Sequence, residues 1–114
     1  MEYRQLGRTG ERVPTIGMGI WRVGVYSGPE ERAKQVRALR KGVELGLNLI
    51  DTAEMYAAGR SEEVVGDAIK GVREDVFIAT KVSPENLRHD AVISACKGSL
   101  RRLGIAHIDL YQIH

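Results

Sequence analysis

The sequence contains little cysteine and no long apolar segment. Cys96 is the only cysteine among 114 residues, so an internal disulfide bond is excluded. No apolar run approaches the 18 or so residues that a membrane-spanning helix needs. The first residues, Met1 to Gln5, also lack the apolar core of a signal peptide. These absences predict a cytoplasmic protein in a reducing compartment, with no membrane partner.

The sequence also lacks an excess of either charge. It has 17 lysines and arginines against 15 aspartates and glutamates, and the positive residues are scattered among the acids. The densest basic cluster, formed by Lys97, Arg101 and Arg102, lies near the end of a predicted helix. Positive charge there stabilises the helix dipole without any partner. We therefore predict no nucleic-acid-binding surface.

Short apolar segments alternate with longer amphipathic ones along the chain. Residues 2–15 are predicted to form a β-hairpin around a turn that contains Gly7 and Gly10. The next apolar segment contains Gly17 and Gly19, which are compatible either with a ligand close to the backbone or with tight helix packing. Barrel-type strands are predicted near residues 16–20, 47–51, 76–81 and 108–114.

Three helices are predicted between these strands. The first begins at Pro29 and ends at Gly46, the second follows Arg60 with Ser61 as its N-cap, and the third covers about residues 89–103. Cys96 lies on the apolar side of the third helix, which favours a buried structural thiol. Strands that alternate with helices form a parallel sheet with right-handed crossovers. No linker divides the chain, so residues 1–114 are predicted to belong to a single domain.

Three ionisable residues each follow an apolar strand segment. Asp51, Lys81 and His114 are spaced 30 and 33 residues apart, which is about the length of one strand–helix unit. Because parallel strands end at one rim, these side chains should converge where barrel enzymes have their active sites. Tyr56 begins the loop over the same rim. We expect Asp51, Lys81 and Tyr56 within hydrogen-bond reach of each other, with His114 the loosest member.

These four side chains together suit proton transfer to a carbonyl oxygen. A free tyrosine is a poor acid at neutral pH because its pKa is about 10, but a nearby ammonium favours the phenolate. Lys81 can supply that ammonium, Asp51 can hold the lysine in place, and His114 can orient a carbonyl group. A metal site is disfavoured, because lysine is a poor ligand and no closely spaced histidines and cysteines occur.

Each of the four residues also has an ordinary structural explanation when taken alone. Asp51 could be a cap or turn former, Lys81 a charge at a strand end, and Tyr56 a loop aromatic. His114 could be a hydrogen-bonded core histidine or simply exposed. Only their joint occurrence at the spacing of strand units favours catalysis.

Several motifs occur in an order that resembles one known enzyme family. The segment DTAEMY at 51–56, followed by GRSE at 59–62 and by Gly66, is similar to the signature of the aldo-keto reductases. The resemblance extends over residues 2–114. The other similar segments are YRQLGRTG at 3–10, ATK at 79–81, LRRLG at 100–104 and IDLYQIH at 108–114.

The resemblance implies an α/β fold, the N-terminal half of a (β/α)8 TIM barrel preceded by a β-hairpin. It also implies NADPH-dependent reduction of aldehydes and ketones to alcohols, with a small-molecule carbonyl compound as substrate. The family's catalytic tetrad falls on Asp51, Tyr56, Lys81 and His114. Tyr56 would be the general acid, Lys81 with Asp51 would favour its ionisation, and His114 would orient the carbonyl.

The resemblance also places part of a cofactor site. Gly19, Ile20, Trp21 and Asp51 fall where the family contacts the nicotinamide and the mouth of the substrate pocket. The sequence has no GxGxxG motif, in keeping with a family that binds NADPH without a Rossmann fold. Ala57 stands where the family often has glycine after the catalytic tyrosine.

The chain, at 114 residues, is much shorter than a complete barrel. A complete eight-stranded barrel takes about 250 residues, and the resemblance places the remaining cofactor contacts after the fourth strand. We therefore expect a C-terminally truncated chain that is inactive on its own and prone to self-association. The alternative is a non-catalytic half-barrel that acts as a binding or regulatory subunit, like those found with potassium channels.

Overall fold

The structure is a computed structural model that describes residues 1–114. It contains six strands, three α-helices and three short 3₁₀ helices. The strands are β1 (Tyr3–Gln5), β2 (Arg12–Pro14), β3 (Met18–Gly19), β4 (Leu49–Asp51), β5 (Phe77–Val82) and β6 (Leu110–Ile113). The α-helices are α1 (Pro29–Glu44), α2 (Arg60–Ala68) and α3 (His89–Leu103), and the 3₁₀ helices are Tyr56–Gly59, Arg73–Asp75 and Pro84–Asn86.

The strands form two separate sheets. β1 and β2 pair antiparallel, with Arg4 opposite Val13. The other four strands form one parallel sheet in the order β3-β4-β5-β6, so each strand pairs with the next one along the chain. This succession of parallel strands and intervening helices agrees with the fold class expected from the sequence. All four strand ends therefore lie at one rim of the sheet.

The main core lies between the parallel sheet and its helices. Ile50 and Ile78 are fully buried, and they pack with Val64 and Val65 of α2. Successive side chains on a strand point to opposite faces of the sheet. The neighbours of Ile50 and Ile78 along their strands, such as Leu49, therefore lie on the face that points away from the helices. That opposite face is only partly covered, and it carries Leu49, Asp51, Phe77, Lys81 and Gln112.

The start of α2 corrects one expectation from the sequence. Ser61 is not the N-cap, because the helix already begins at Arg60, and the capping position is Gly59 in a left-handed conformation with φ 91°. Ser61 is fully buried, and its hydroxyl donates a hydrogen bond to the carbonyl of Ile20 at 3.3 Å. It also lies 3.2 Å from the hydroxyl of Thr52. Ser61 therefore joins α2 to the residues that directly follow β3 and β4.

One residue of α3 also differs from expectation. Cys96 is half-buried and not fully enclosed. Arg102 of the same helix forms an ion pair within the chain, in which its Nε donates to Oε2 of Glu62 at 2.7 Å. Glu62 is fully buried, and its other oxygen accepts a hydrogen bond from Thr80 at 2.6 Å. The positive charge of Arg102 thus balances a buried carboxylate in addition to any effect on the helix dipole.

Candidate active site

Asp51 and Lys81 form an ion pair across neighbouring strands at the rim. Asp51 ends β4 and pairs with Ala79, so Lys81 lies two residues further along β5 on the same face. The lysine Nζ lies 2.8 Å from Oδ1 of Asp51 and also donates to the carbonyl of Thr52 at 2.9 Å. The Lys81 side chain is 15% exposed and that of Asp51 is 42% exposed. The ammonium is therefore held in place while one side of the pair faces solvent.

Tyr56 and His114 complete the cluster that the sequence predicted. The Lys81 ammonium lies 5.3 Å from the centre of the Tyr56 ring, a distance at which a cation is attracted to an aromatic face. The His114 ring lies 5.6 Å from the same ring at an interplanar angle of 85°. His114 is exposed, and its backbone N–H donates to Val82 at 3.0 Å. The fold thus brings all four residues to one place, but the Tyr56 hydroxyl forms no hydrogen bond with Lys81 or Asp51, so the expected hydrogen-bond contact of the phenol is not present.

The turn that carries Tyr56 has an unusual backbone. Ala57 and Ala58 have φ values of 50° and 54°, the left-handed region that side chains other than glycine rarely adopt. Such a conformation costs roughly 1–2 kcal/mol per residue. Gly24, in the loop after β3, packs so closely here that an added Cβ would lie 2.9 Å from the Cβ of Ala57. The loop after β3 therefore packs directly against this unfavourable turn.

Glu54 is a site residue that the sequence analysis did not identify. Its Oε1 accepts hydrogen bonds from the backbone N–H of Ser83 at 2.8 Å and from Nδ2 of Asn86 at 2.7 Å. Burial acts to raise the pKa of Glu54, but these hydrogen bonds outweigh it and hold the pKa below its usual value. The only sequence signal was its place between Asp51 and Tyr56.

The residues expected near the nicotinamide differ in their surroundings. Gly19 is exposed, and a side chain added there would meet nothing within 4 Å. Trp21 is 71% exposed beyond the end of β3. Ile20, by contrast, is only 4% exposed and packs in the core, so its side chain does not face the rim. The open space at Gly19 and the exposed indole fit a flat ring bound beside Asp51.

The structure places no cluster of three or more histidine, cysteine, aspartate or glutamate residues suited to a metal ion. None of its helices is long and apolar enough to cross a membrane.

The sequence profile of the Aldo/keto reductase family matches residues 15–114. The chain belongs to this family. A methylglyoxal reductase of Escherichia coli, YeaE, is 50% identical over 102 residues, which cover 90% of this chain and 35% of that protein. A probable voltage-gated potassium channel subunit beta of Oryza sativa is 33% identical, covering 100% of this chain and 37% of that protein.

Solved aldo-keto reductase structures match the fold. The thermostable aldo-keto reductase Tm1743, crystallised with the inhibitor epalrestat, superposes with a TM-score of 0.93 at 42% identity, over 100% of this chain and 43% of that one. A Klebsiella pneumoniae aldo/keto reductase in complex with NADP and acetate gives 0.87 at 46% identity, over 92% and 36%. The chain thus has the fold of part of a TIM barrel and spans less than half the length of these relatives.

Proposed function

We propose that this chain carries the catalytic residues of an NADPH-dependent carbonyl reductase. The observation that supports the proposal is the arrangement of the Lys81–Asp51 ion pair beneath the ring of Tyr56, with the His114 ring beside it. Small aldehydes are the proposed substrates, and methylglyoxal is the first to assay because a relative of 50% identity is a methylglyoxal reductase.

In this proposal Tyr56 is the general acid. Its hydroxyl donates a proton to the carbonyl oxygen of the substrate as negative charge develops there. The ammonium of Lys81 stabilises the resulting phenolate, and Asp51 holds that ammonium in position. His114 donates a hydrogen bond that orients the carbonyl. Solvent returns the proton to Tyr56 after the alcohol leaves.

The rim residues would hold the reactive end of the cofactor. Asp51, Gly19 and the exposed face of Trp21 border the proposed position, while Ile20 contributes only backbone there. A bound nicotinamide supplies the hydride that the carbonyl carbon receives. Close relatives have been solved with NADP and NADPH, which supports NADPH as the cofactor. The cytoplasm is the proposed location.

The test is turnover by the longest form of the protein that its reading frame encodes. NADPH consumption is followed with methylglyoxal and a panel of aldehydes. Tyr56→Phe should lower kcat by about a hundredfold or more, because it removes the general acid. Tyr3→Phe is the matched control, since the Tyr3 hydroxyl bonds to Asn48 at the other end of the sheet. Equal activity of the Tyr56→Phe variant and the wild type would refute the proposed role.

A regulatory subunit is the second candidate function. It is favoured by the 33% and 31% identity to probable potassium channel beta subunits of rice and Arabidopsis thaliana. This candidate predicts that the folded protein binds NADPH but turns over none of the aldehydes, and that Tyr56→Phe changes neither property. Measurable turnover that depends on Tyr56 decides for the enzyme.

A further inference from the structure

We propose that Glu54 is a positioning residue that fixes Tyr56 relative to Lys81 by joining the loop after β4 to the loop after β5. This inference rests on the proposed function, since it concerns the placement of the proposed general acid. The side chain of Glu54 forms no hydrogen bond with the side chains of the four tetrad residues. It acts through the backbone of the segment that carries Tyr56.

The first part of the evidence is a bond between the two loops. The backbone N–H of Glu54 donates to the carbonyl of Lys81 at 3.2 Å. This bond continues the β4–β5 connection beyond the last strand pair, because Thr52 donates to Ala79 at 2.9 Å just before it. The main chain two residues before Tyr56 is thus attached to Lys81 itself.

The second part is the carboxylate of Glu54. Its Oε1 receives two hydrogen bonds, one from the backbone of Ser83 and one from the side chain of Asn86. Ser83 is 2% exposed, so the acceptor satisfies a backbone N–H that solvent reaches poorly. Hydrogen bonds to an ionised acceptor are roughly twice as strong as neutral ones. The loop after β4 is therefore clamped to the first residues after Lys81.

The third part is that the other backbone hydrogen bonds of Met55 and Tyr56 are local and reach no further than Arg60. Met55 is 50% exposed, and the N–H of Tyr56 bonds only to Ala53, three residues earlier, at 3.2 Å. Beyond Tyr56 the chain adopts the unfavourable turn at Ala57. A displacement of about 1 Å in a catalytic group can cost a hundredfold in rate. Glu54 is placed to prevent such a displacement.

The experiment uses four variants of the longest encoded form of the protein. Glu54→Ala removes the acceptor, whereas Glu54→Gln keeps an amide oxygen that both donors can still reach. Asn86→Ala removes one donor at a half-buried surface position. Glu85→Ala is the control, because it removes a neighbouring exposed glutamate that accepts no hydrogen bond from the β4 loop.

Two readouts separate positioning from general stability. Steady-state kinetics give kcat and KM across pH, and proton NMR reports the through-space contact between the rings of Tyr56 and His114. Glu54→Ala should lower kcat by about tenfold with little change in KM, and should weaken the ring contact. Glu54→Gln should restore most of both, and Asn86→Ala should lie between them.

The proposal is overturned if Glu54→Ala and Asn86→Ala match Glu85→Ala in kcat and in the ring contact, whatever their melting temperatures. If Glu54→Ala does not fold, Asn86→Ala decides by the same two readouts. The Tyr56→Phe variant distinguishes failure of the proposed function from failure of the proposed role of Glu54. Activity that survives this change refutes the proposed function, while the NMR contact between the rings of Tyr56 and His114 in the Glu54 variants still tests the positioning role of Glu54.

Discussion

The Nε atom of Arg102 lies 2.7 Å from Oε2 of Glu62, which joins the end of α3 to the start of α2. Glu62 is fully buried, and its second oxygen accepts from Thr80, the residue before Lys81. The arginine passes close to Gly59, where an added Cβ would lie 2.7 Å from its Cδ. The Arg102–Glu62 pair therefore connects α2 and α3 to β5 at Thr80, next to Lys81 of the candidate active site.

Removal of the Arg102 charge should strongly destabilise the fold. Arg102→Met leaves the carboxylate of Glu62 buried without its cation, and such a change costs about 3–5 kcal/mol. Chemical denaturation of the longest form that unfolds cooperatively measures the free energy of unfolding. Arg101→Met is the control, because that neighbouring arginine is exposed. Similar values for the two variants would show that the buried pair contributes little.

Glycine at position 57 should stabilise the protein. Ala57 has φ 50°, and glycine adopts this region without the cost of a Cβ. We expect Ala57→Gly to raise the free energy of unfolding by up to about 1 kcal/mol. Ala95→Gly, in the interior of helix α3, should have the opposite effect, since glycine destabilises a helix interior by about 1 kcal/mol. Destabilisation by Ala57→Gly would contradict the left-handed turn.

Tyr111 should ionise only at high pH. Burial raises its pKa from 10 to about 12, and nearby Cys96, Glu54 and Glu62 add to the shift. Because the folded-state pKa of Tyr111 is raised, the contribution of its protonated form to the free energy of unfolding is complete below pH 10. That contribution is lost as the pH rises through about 12. The tyrosinate absorbance should therefore contain a late phase that disappears in Tyr111→Phe and persists in Tyr3→Phe.

The same variant tests the packing around the hydroxyl of Tyr111. That oxygen is buried and has no hydrogen-bond partner. Removing an unsatisfied buried hydroxyl is neutral or favourable, so Tyr111→Phe should leave the free energy of unfolding unchanged or raise it. A loss of about 2 kcal/mol would mean that the hydroxyl does have a partner in solution.

The 114-residue chain expressed alone should self-associate and show no turnover. Strands β3 and β6 each have one unpaired edge, and unpaired edges recruit other strands. Ile113 on β6 is 72% exposed, and the face that carries Leu49 and Phe77 is only partly covered. Burial of apolar surface stabilises by about 25 cal/mol per Å². Association that buries this exposed apolar surface should therefore be favourable.

Light scattering and NADPH consumption check this prediction. Ile113→Lys should reduce association, because a charge at an edge disfavours strand pairing. A monomeric wild-type chain with activity that depends on Tyr56 would contradict it.

Much of the fold follows from patterns within short segments. The 30-residue spacing of Asp51 and Lys81 predicted two parallel strands with a shared rim, because one strand–helix unit has that length. The glycine after the third predicted helix ended it as expected, with Gly104 at φ 65°. Such signals are readable because helix periodicity, capping and strand alternation depend on neighbouring residues.

Which residues meet across the fold was decided by tertiary structure. Glu62 and Ser61 look like ordinary residues of a first helical turn, yet both are buried, because α2 packs its first turn against β3, β4 and β5. Glu54 has no local signal beyond its place between Asp51 and Tyr56, since its partners lie 29 and 32 residues away. The sequence by itself determined the order and spacing of the elements, because these depend on local interactions. Only the packing of those elements decided which polar groups lost contact with water and therefore needed a distant partner.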